Sequence, residues 1–465
     1  MTDKKLRPSD FTWALEDTLV PEHKHGELDD SKNKLRDTVT GEHVSIAEGN
    51  AIAAERLNPF FDCEVDRRNL LKASGAIGAG VMLAASAQPR YAYAADVAPD
   101  APILINIFLR GAADGLSFLT PYNDTYYQEV RTSTKTNMST ATVLNNQFAL
   151  PADLAALLPA WNAGDLSFAN AVGSMGQGRS HFTEQAARDR AAPVQIRSGW
   201  LGRYLALSEG EDPMFRGFSS NGAIVPSMYG EKPTMAISNF DNFYLSGDSF
   251  GLRMMLDGIY KAAGGNMLEQ ATKTVESITE VQAMKKSGYT PANGAVYPDG
   301  GWDYSFSRQL KEVAQVIKAN KGLQVVSIDV GGWDTHNRQV ADMGPLLRHM
   351  AGALAAFRTD LGSTLMQRVM VITQSEFGRT TVENAGGGTD HGMGSFIMCM
   401  SGKAAPKTIT GDFLSLRPSG GSDRDLNVTT DYRDIMAEIV TRGMGATQIS
   451  QIFPGYTPSY KGILR

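Results

Sequence analysis

Val369-Met-Val-Ile-Thr-Gln-Ser-Glu-Phe-Gly-Arg379 decides how this chain is read. Its β-branched, apolar start predicts a buried strand, and the strand climbs to a carboxylate at Glu376. A short loop leads on to Gly388-Thr-Asp-His-Gly392, which sets Asp390 and His391 side by side. Polar residues at the exit of an apolar strand are the pattern of an open α/β sheet, where ligands collect outside the carboxyl ends of parallel strands. The pattern recurs twice. Leu323-Gln-Val-Val-Ser-Ile-Asp329 runs into Gly331-Gly-Trp-Asp-Thr-His336, and Ile103-Leu-Ile-Asn-Ile-Phe-Leu109 runs into Arg110-Gly-Ala-Ala-Asp-Gly115. Three strands thus aim carboxylates and imidazoles at one edge, as a hard-metal or phosphoryl/sulfuryl site requires.

Outward from these strands the α/β rhythm continues. Leu166-Ser-Phe-Ala-Asn-Ala-Val172 predicts a strand ending in Gly173-Ser-Met-Gly-Gln-Gly-Arg-Ser-His-Phe182, a glycine-rich turn into a helix. Backbone N–H groups at such a helix start favour an anion, and Ser180 and His181 fall there. Phe306, Leu310, Val313 and Ile317 share one helical face, as do Leu346, Leu347, Met350, Leu354, Phe357 and Leu361. Ser395 to Met400 reads as a strand and Asp431 to Val440 as a closing helix. Residues 213 to about 300 lack strong alternation and are read as an insertion with helices near Phe250–Ala263 and Met267–Lys285, either a cap over the functional edge or a surface decoration. The expected fold is a mostly parallel central sheet flanked by helices, over residues 101–465.

The 465 residues are 42% hydrophobic, enough for a large core, and the net charge of -6 gives no electrostatic reason to expect nucleic acid. Residues 1–65 are polar and poorly periodic, the composition of a leader without a core. In 66–94, Asp66-Arg67-Arg68-Asn69-Leu70-Leu71-Lys72 opens onto an Ala/Gly-rich apolar run and then Ala92-Tyr93-Ala94, a small-x-small cleavage site. This resembles a twin-arginine signal, which implies the twin-arginine export machinery as a partner and a periplasmic or secreted product. No other run reaches the roughly 18 apolar residues of a transmembrane helix, so no membrane anchor is expected in the mature chain. Of two cysteines, Cys63 precedes the cleavage site and Cys399 lies in a buried strand, where it packs.

Beyond the leader the histidines are His181, His336, His349 and His391, and all but His349 fall in glycine-flanked loops after apolar strands. Metal ligation needs neutral imidazoles and ionised carboxylates converging from different elements. Asp334 and His336, two apart, can both enter one site, while of Asp390 and His391 one ligates and the other supports it. Bland readings stand beside these. Asp114 before glycine also suits a turn, Glu376 also suits a pair with Arg379, and Asp334-Thr335-His336 also suits a helix N-cap. Arg179, Arg203 and Arg379 are either solvated or clamp an oxyanion.

The chain resembles the bacterial family catalogued as domain of unknown function 1501, placed among alkaline-phosphatase and sulfatase-like folds. The matching stretches are Phe108-Leu-Arg-Gly-Ala-Ala-Asp-Gly115, Arg179-Ser-His-Phe182, Gly199-Trp-Leu-Gly-Arg-Tyr204, Gly331-Gly-Trp-Asp-Thr-His336, Ser375-Glu-Phe-Gly-Arg379 and Gly388-Thr-Asp-His-Gly392. The resemblance implies an alkaline-phosphatase-like fold and a two-metal site served by a hydroxyl or modified-cysteine nucleophile at a helix start. Carried over by position, it implies Asp114, Asp334, His336, Glu376 and His391 as metal residues and Ser180 as nucleophile, while Asp390 is a metal candidate from its place beside His391. Two features depart from it. Phe377 stands where a ligand histidine is expected, for which His181 is the candidate replacement, and the Asp334/His336 spacing is short. The expected cofactor is a divalent ion, zinc, manganese or calcium. Two functions are weighed: an exported hydrolase of phosphate or sulfate esters, with Arg179 or Arg379 on the oxyanion, and a non-catalytic scaffold bound to a neighbouring-gene protein.

Overall fold

The computed structural model describes residues 34–36, 43–45, 101–174, 176–208, 213–243, 265–300, 304–417 and 425–465. It divides into two units, one of Met1–Gly80 with Phe240–Ser287 and one of Val81–Asn239 with Gly288–Arg465. In the first, Lys34–Arg36 pairs antiparallel with His43–Ser45, and a helix spans Gly265–Ser287, close to the segment expected from Met267. The proposed signal at 66–94, Cys63 and the helix expected over Phe250–Ala263 lie outside the described residues.

The second unit holds the sheet. Its strands begin with β1 (Ile103–Leu109), β2 (Leu166–Gly173), β3 (Gly217–Ser219), β4 (Met235–Ala236), β5 (Val325–Val330) and β6 (Val369–Gln374). A separate hairpin of β7 (Arg379–Glu383) and β8 (Thr389–His391) follows, then β9 (Ser395–Met400), β10 (Ile409–Thr410) and β11 (Thr430–Asp431). The spatial order is β10-β2-β9-β6-β1-β5-β3-β4, with β11 also beside β2. Within this sheet, among the described residues, β9 alone runs against its neighbours, so the sheet is mostly parallel, as expected.

Every residue of β1, β2, β6 and β9 is buried, the signature of strands covered on both faces. The covering helices are α1 (His181–Arg190), α2 (Trp200–Leu207), α3 (Tyr304–Lys318), α4 (Gln339–Met366) and α5 (Tyr432–Glu438). The apolar faces read at helical spacing in α3 and α4 are buried. Cys399 sits on β9 without solvent contact, and burial pushes its thiol up to about 12, which leaves it an inert packing group. No helix among the described residues is long and apolar enough to cross a membrane.

The region read as one insertion from 213 is divided. Its start supplies β3 and β4 to the sheet edge, two strands too short to show alternation. Its end is clamped to α4 by the buried Asp360 carboxylate, which accepts bonds from Tyr289 Oη (2.6 Å), Tyr297 Oη (2.9 Å) and the Ala292 N–H (2.6 Å).

Candidate functional site

The carboxyl ends of β1, β2, β5 and β6 and the hairpin before β9 lie at one edge of the sheet. His181 opens α1 after β2, Asp334 and His336 follow β5, Glu376 follows β6, and Asp390 and His391 end β8. Close backbone approach permits this. Gly111, at φ +119°, lies so near the Asp334 loop that a Cβ would stand 2.6 Å from Asp334 N, and one on Gly388 would stand 2.3 Å from the His336 carbonyl.

His391 Nε2 lies 3.0 Å from His181 Nε2 and 3.0 Å from His336 Nε2. Asp334 Oδ1 is 3.0 Å from His336 Nε2, 3.4 Å from His391 Nε2 and 3.5 Å from His181 Nε2. The far nitrogen of each ring faces an oxygen: His181 Nδ1 the Glu376 Oε1 (2.7 Å), His391 Nδ1 the Arg179 carbonyl (2.8 Å), and His336 Nδ1 the Asp390 Oδ1 (3.2 Å). Carbonyls and ionised carboxylates only accept, so each Nδ1 carries a proton and it is the Nε2 of each ring that turns inward as the available donor. Three lone pairs and a carboxylate oxygen then face one another, an arrangement that repels itself until a cation or proton stands among them. Ligand atoms at about 2.0–2.1 Å from a tetrahedral ion lie about 3.3 Å apart, close to the separations among His181 Nε2, His391 Nε2 and Asp334 Oδ1. His181, Asp334 and His391 therefore fit a divalent ion, with His336 Nε2 beside them at 3.0 Å from both His391 Nε2 and Asp334 Oδ1. Imidazole nitrogens suit zinc and its transition-metal neighbours, whereas calcium takes oxygen ligands.

The electrostatics keep His391 and Asp334 in ligating form. Burial, with the positive charge of Arg379 added, holds His391 below the ordinary imidazole value against the opposing bond to the Arg179 carbonyl. Burial opposes ionisation of Asp334, but the hydrogen bond and charge of Arg379 outweigh it and hold that carboxyl below the usual range. The side chains stay accessible, with Asp334 48%, His336 38%, and His181 and His391 each 23% exposed.

The other sequence candidates take different places. Asp114 caps the turn Gly115–Phe118 and is ion-paired with Arg131, the turn-forming role weighed beside the metal one. Glu376 is fully buried and orients His181, and Gln185 Nε2 (2.8 Å) and the Gly111 N–H (2.9 Å) also bind its Oε1. Arg379 binds the carbonyls of Ala112 (2.7 Å), Thr389 (2.9 Å) and Gly111 (2.6 Å) and Asp334 Oδ1 (2.5 Å), and its side chain is without solvent contact, so it braces the loops from behind the open site. Arg203 likewise binds the carbonyls of Ile452, Ser198 and Arg190. Arg179 pairs with Asp425 at the rim, and Ser180 is the exposed N-cap of α1 with no capping bond from its side chain. Phe377, buried, has its ring centroid 5.0 Å from those of both His181 and His391 and walls the cluster. Arg131, Gln185, Gln339 and Asn384 escaped the sequence reading, since a polar residue that braces a ligand through a tertiary contact leaves no spacing to find.

The hairpin carrying His391 has an anchor of its own. The Glu383 carboxylate accepts the N–H groups of Ser133 (2.9 Å) and Thr134 (2.8 Å) and the Thr134 hydroxyl (2.9 Å), and it is bonded by Thr132 Oγ1 as well. Although burial opposes ionisation, these bonds take its pKa down to about 2 from 4.5. A depressed carboxyl stabilises above its unfolded value, so this anchorage is complete above about 4.5 and is lost as pH falls through about 2. Carboxyl NMR is expected to find a midpoint near 2 that Glu383→Gln removes; a midpoint in the ordinary range would mean the anchor does not form.

The fold and this edge define an α/β protein with a histidine-carboxylate cluster at the ends of parallel strands. The chain belongs to the family described as protein of unknown function (DUF1501), whose model matches residues 175–412, more than half of its length. The match takes in His181, Asp334, His336, Glu376, Asp390 and His391, while Asp114 precedes it. No curated protein matches the chain. A solved structure of the PH0037 protein from Pyrococcus horikoshii is similar over 65% of this chain and 86% of that one, at 10% identity and a TM-score of 0.22, too low to inform the fold.

Proposed function

We propose that this chain is an exported, metal-dependent hydrolase of phosphate or sulfate esters, with an alkaline-phosphatase-like arrangement of its sheet. The observation that carries the reading is the convergence of three imidazole Nε2 atoms on Asp334 Oδ1, each ring fixed from behind by an oxygen. His181, Asp334 and His391 would hold the ion, with His336 the adjoining donor, and the ion when bound supplies Lewis acidity and positive charge at the ester. Glu376, Asp390 and the Arg179 carbonyl set the ring tautomers. Arg379 holds Asp334, which is why the arginine left for the ester oxygens is Arg179, half exposed at the rim. Ser180 is assigned the attack on phosphorus or sulfur, its Oγ bonding as the ester's alcohol leaves with the hydroxyl proton and water then releasing phosphate or sulfate, because it is exposed beside His181 and its hydroxyl makes no capping bond. The first-turn N–H groups of α1 favour negative charge at that position. Export through the twin-arginine machinery to the periplasm or beyond rests on the Arg67-Arg68 leader.

Ser180→Ala is expected to lower turnover on panels of aryl phosphates and aryl sulfates by roughly 10³-fold or more while leaving bound metal in place. Equal turnover by both proteins would remove Ser180 from the reaction.

One observation favours a second reading, a non-catalytic partner of a neighbouring-gene protein: Phe182, next to His181, is 92% exposed. A stable complex in pull-down that survives Asp334→Ala and His391→Ala, in a protein without hydrolysis, would decide for it.

A further inference from the structure

The two innermost carboxylates of this edge, Asp114 and Glu376, are closed to any ion. Both side chains lack solvent contact. Asp114 Oδ1 accepts from Arg131 Nη2 (3.0 Å) and the Leu116 N–H (3.3 Å), and its Oδ2 accepts from Ser117 Oγ (2.7 Å), Gln339 Nε2 (2.7 Å) and Arg131 Nη1. Five donors on two oxygens use the roughly four lone-pair positions a carboxylate offers. The guanidinium is locked in turn, with Arg131 Nε on the Thr381 carbonyl (2.9 Å) and Nη2 on that of Thr380 (2.9 Å). Its neighbour Glu376, buried as well, takes Gly111, His181 and Gln185 on Oε1, with Ser375 Oγ 3.0 Å from Oε2. A dication at Asp114 would have to displace a buried guanidinium or stand against it in a medium that screens poorly.

Resting on the metal-centre reading above, we propose that this chain holds a single ion, at His181, Asp334 and His391 with His336 adjoining, and that the Arg131 guanidinium is the permanent positive charge on Asp114 where a second ion would otherwise bind. The arginine also serves the ion it does not touch. Gln339, held on Asp114 through Nε2, accepts on Oε1 the hydroxyls of Thr389 (2.6 Å) and Thr335 (3.3 Å). Thr335 separates Asp334 from His336, and Thr389 lies two residues before His391. The line Arg131, Asp114, Gln339 is therefore a buried brace behind both ligand loops, and Gln339 is its positioning residue. A one-ion centre polarises one oxygen of the ester and leaves the opposite oxygen to protein groups, unlike the two-ion clamp that grips both.

The test is zinc content of the purified full-length chain, with an anomalous difference map at the zinc edge. One zinc per chain is expected in the wild type and in Asp114→Asn, with one anomalous peak among the three Nε2 atoms. In Gln339→Ala one zinc still binds, its affinity reported by a competing chromophoric chelator falls by about 10–100-fold, and the visible spectrum of the cobalt-loaded protein shifts. Two zinc ions with one lost in Asp114→Asn, or a second peak at Asp114, would overturn the single-ion inference and leave the metal centre standing. The map on the wild type decides this even when Asp114→Asn does not fold. No zinc in the wild type would sink the metal centre and this inference together. Unchanged affinity and spectrum in Gln339→Ala would take Gln339 out of the brace.

Discussion

His391→Ala is expected to abolish stoichiometric metal binding and ester hydrolysis together, and His336→Ala/His391→Ala to do so with no residual affinity. His391 is the hub of the cluster, 3.0 Å from the Nε2 atoms of both other imidazoles. Removing it takes away one donor and the contact through which the His181 and His336 rings are set against each other. Loss of a group that only orients a ligand typically costs 10–100-fold in affinity, so loss of the central ligand exceeds that range. Folding offers an independent readout. An ion at about 1,000 times its Kd stabilises the native state by about 4.1 kcal/mol. The wild type should therefore show a metal-dependent rise in Tm that the variant lacks, while the two metal-free proteins melt alike. Full zinc content in the variant would end the case for this centre.

Arg131→Met is expected to destabilise the fold by roughly 3–5 kcal/mol, the cost of leaving a buried carboxylate unpaired. The partners are Asp114 and Arg131, each with a fully buried side chain. Burial works against ionisation of Asp114, but the Arg131 charge and hydrogen bond, aided by Ser117 and Gln339, hold its carboxyl below the usual range. A carboxyl depressed in the folded state contributes fully above its unfolded value and loses that contribution as pH falls through the folded one. The gap between wild type and Arg131→Met in denaturant melts should thus be widest near neutral pH and narrow in acid. A difference under about 1 kcal/mol at neutral pH would show the pair to be dispensable.

What was legible in the chain follows from the range over which each physical signal acts. Ile103–Leu109, Val369–Gln374 and Ser395–Met400 are strands where the runs of β-branched and apolar residues place them, because burial on both faces writes itself into consecutive residues. The α3 and α4 faces were readable from helical spacing for the same reason. Gly217–Ser219 and Met235–Ala236 were not, since edge strands of three and two residues carry no period. The glycine-flanked position of His181, His336 and His391 after strands was visible, and the structure brings all three together with Asp334.

The sequence by itself determined the α/β class, the strands whose ends bear the chemistry, and the residue types gathered there. Hydrophobic period and turn composition are local properties, so they survive without the fold. Only the tertiary structure decided which polar group meets which. Asp114 could as well have faced an ion as Arg131, and Arg379 an ester oxygen as Asp334; the choice came from loops of different strands pressed together at Gly111 and Gly388. Hydrogen bonds and ion pairs act over a few ångströms in space and at any distance along the chain, so their partners are set when the strands pair.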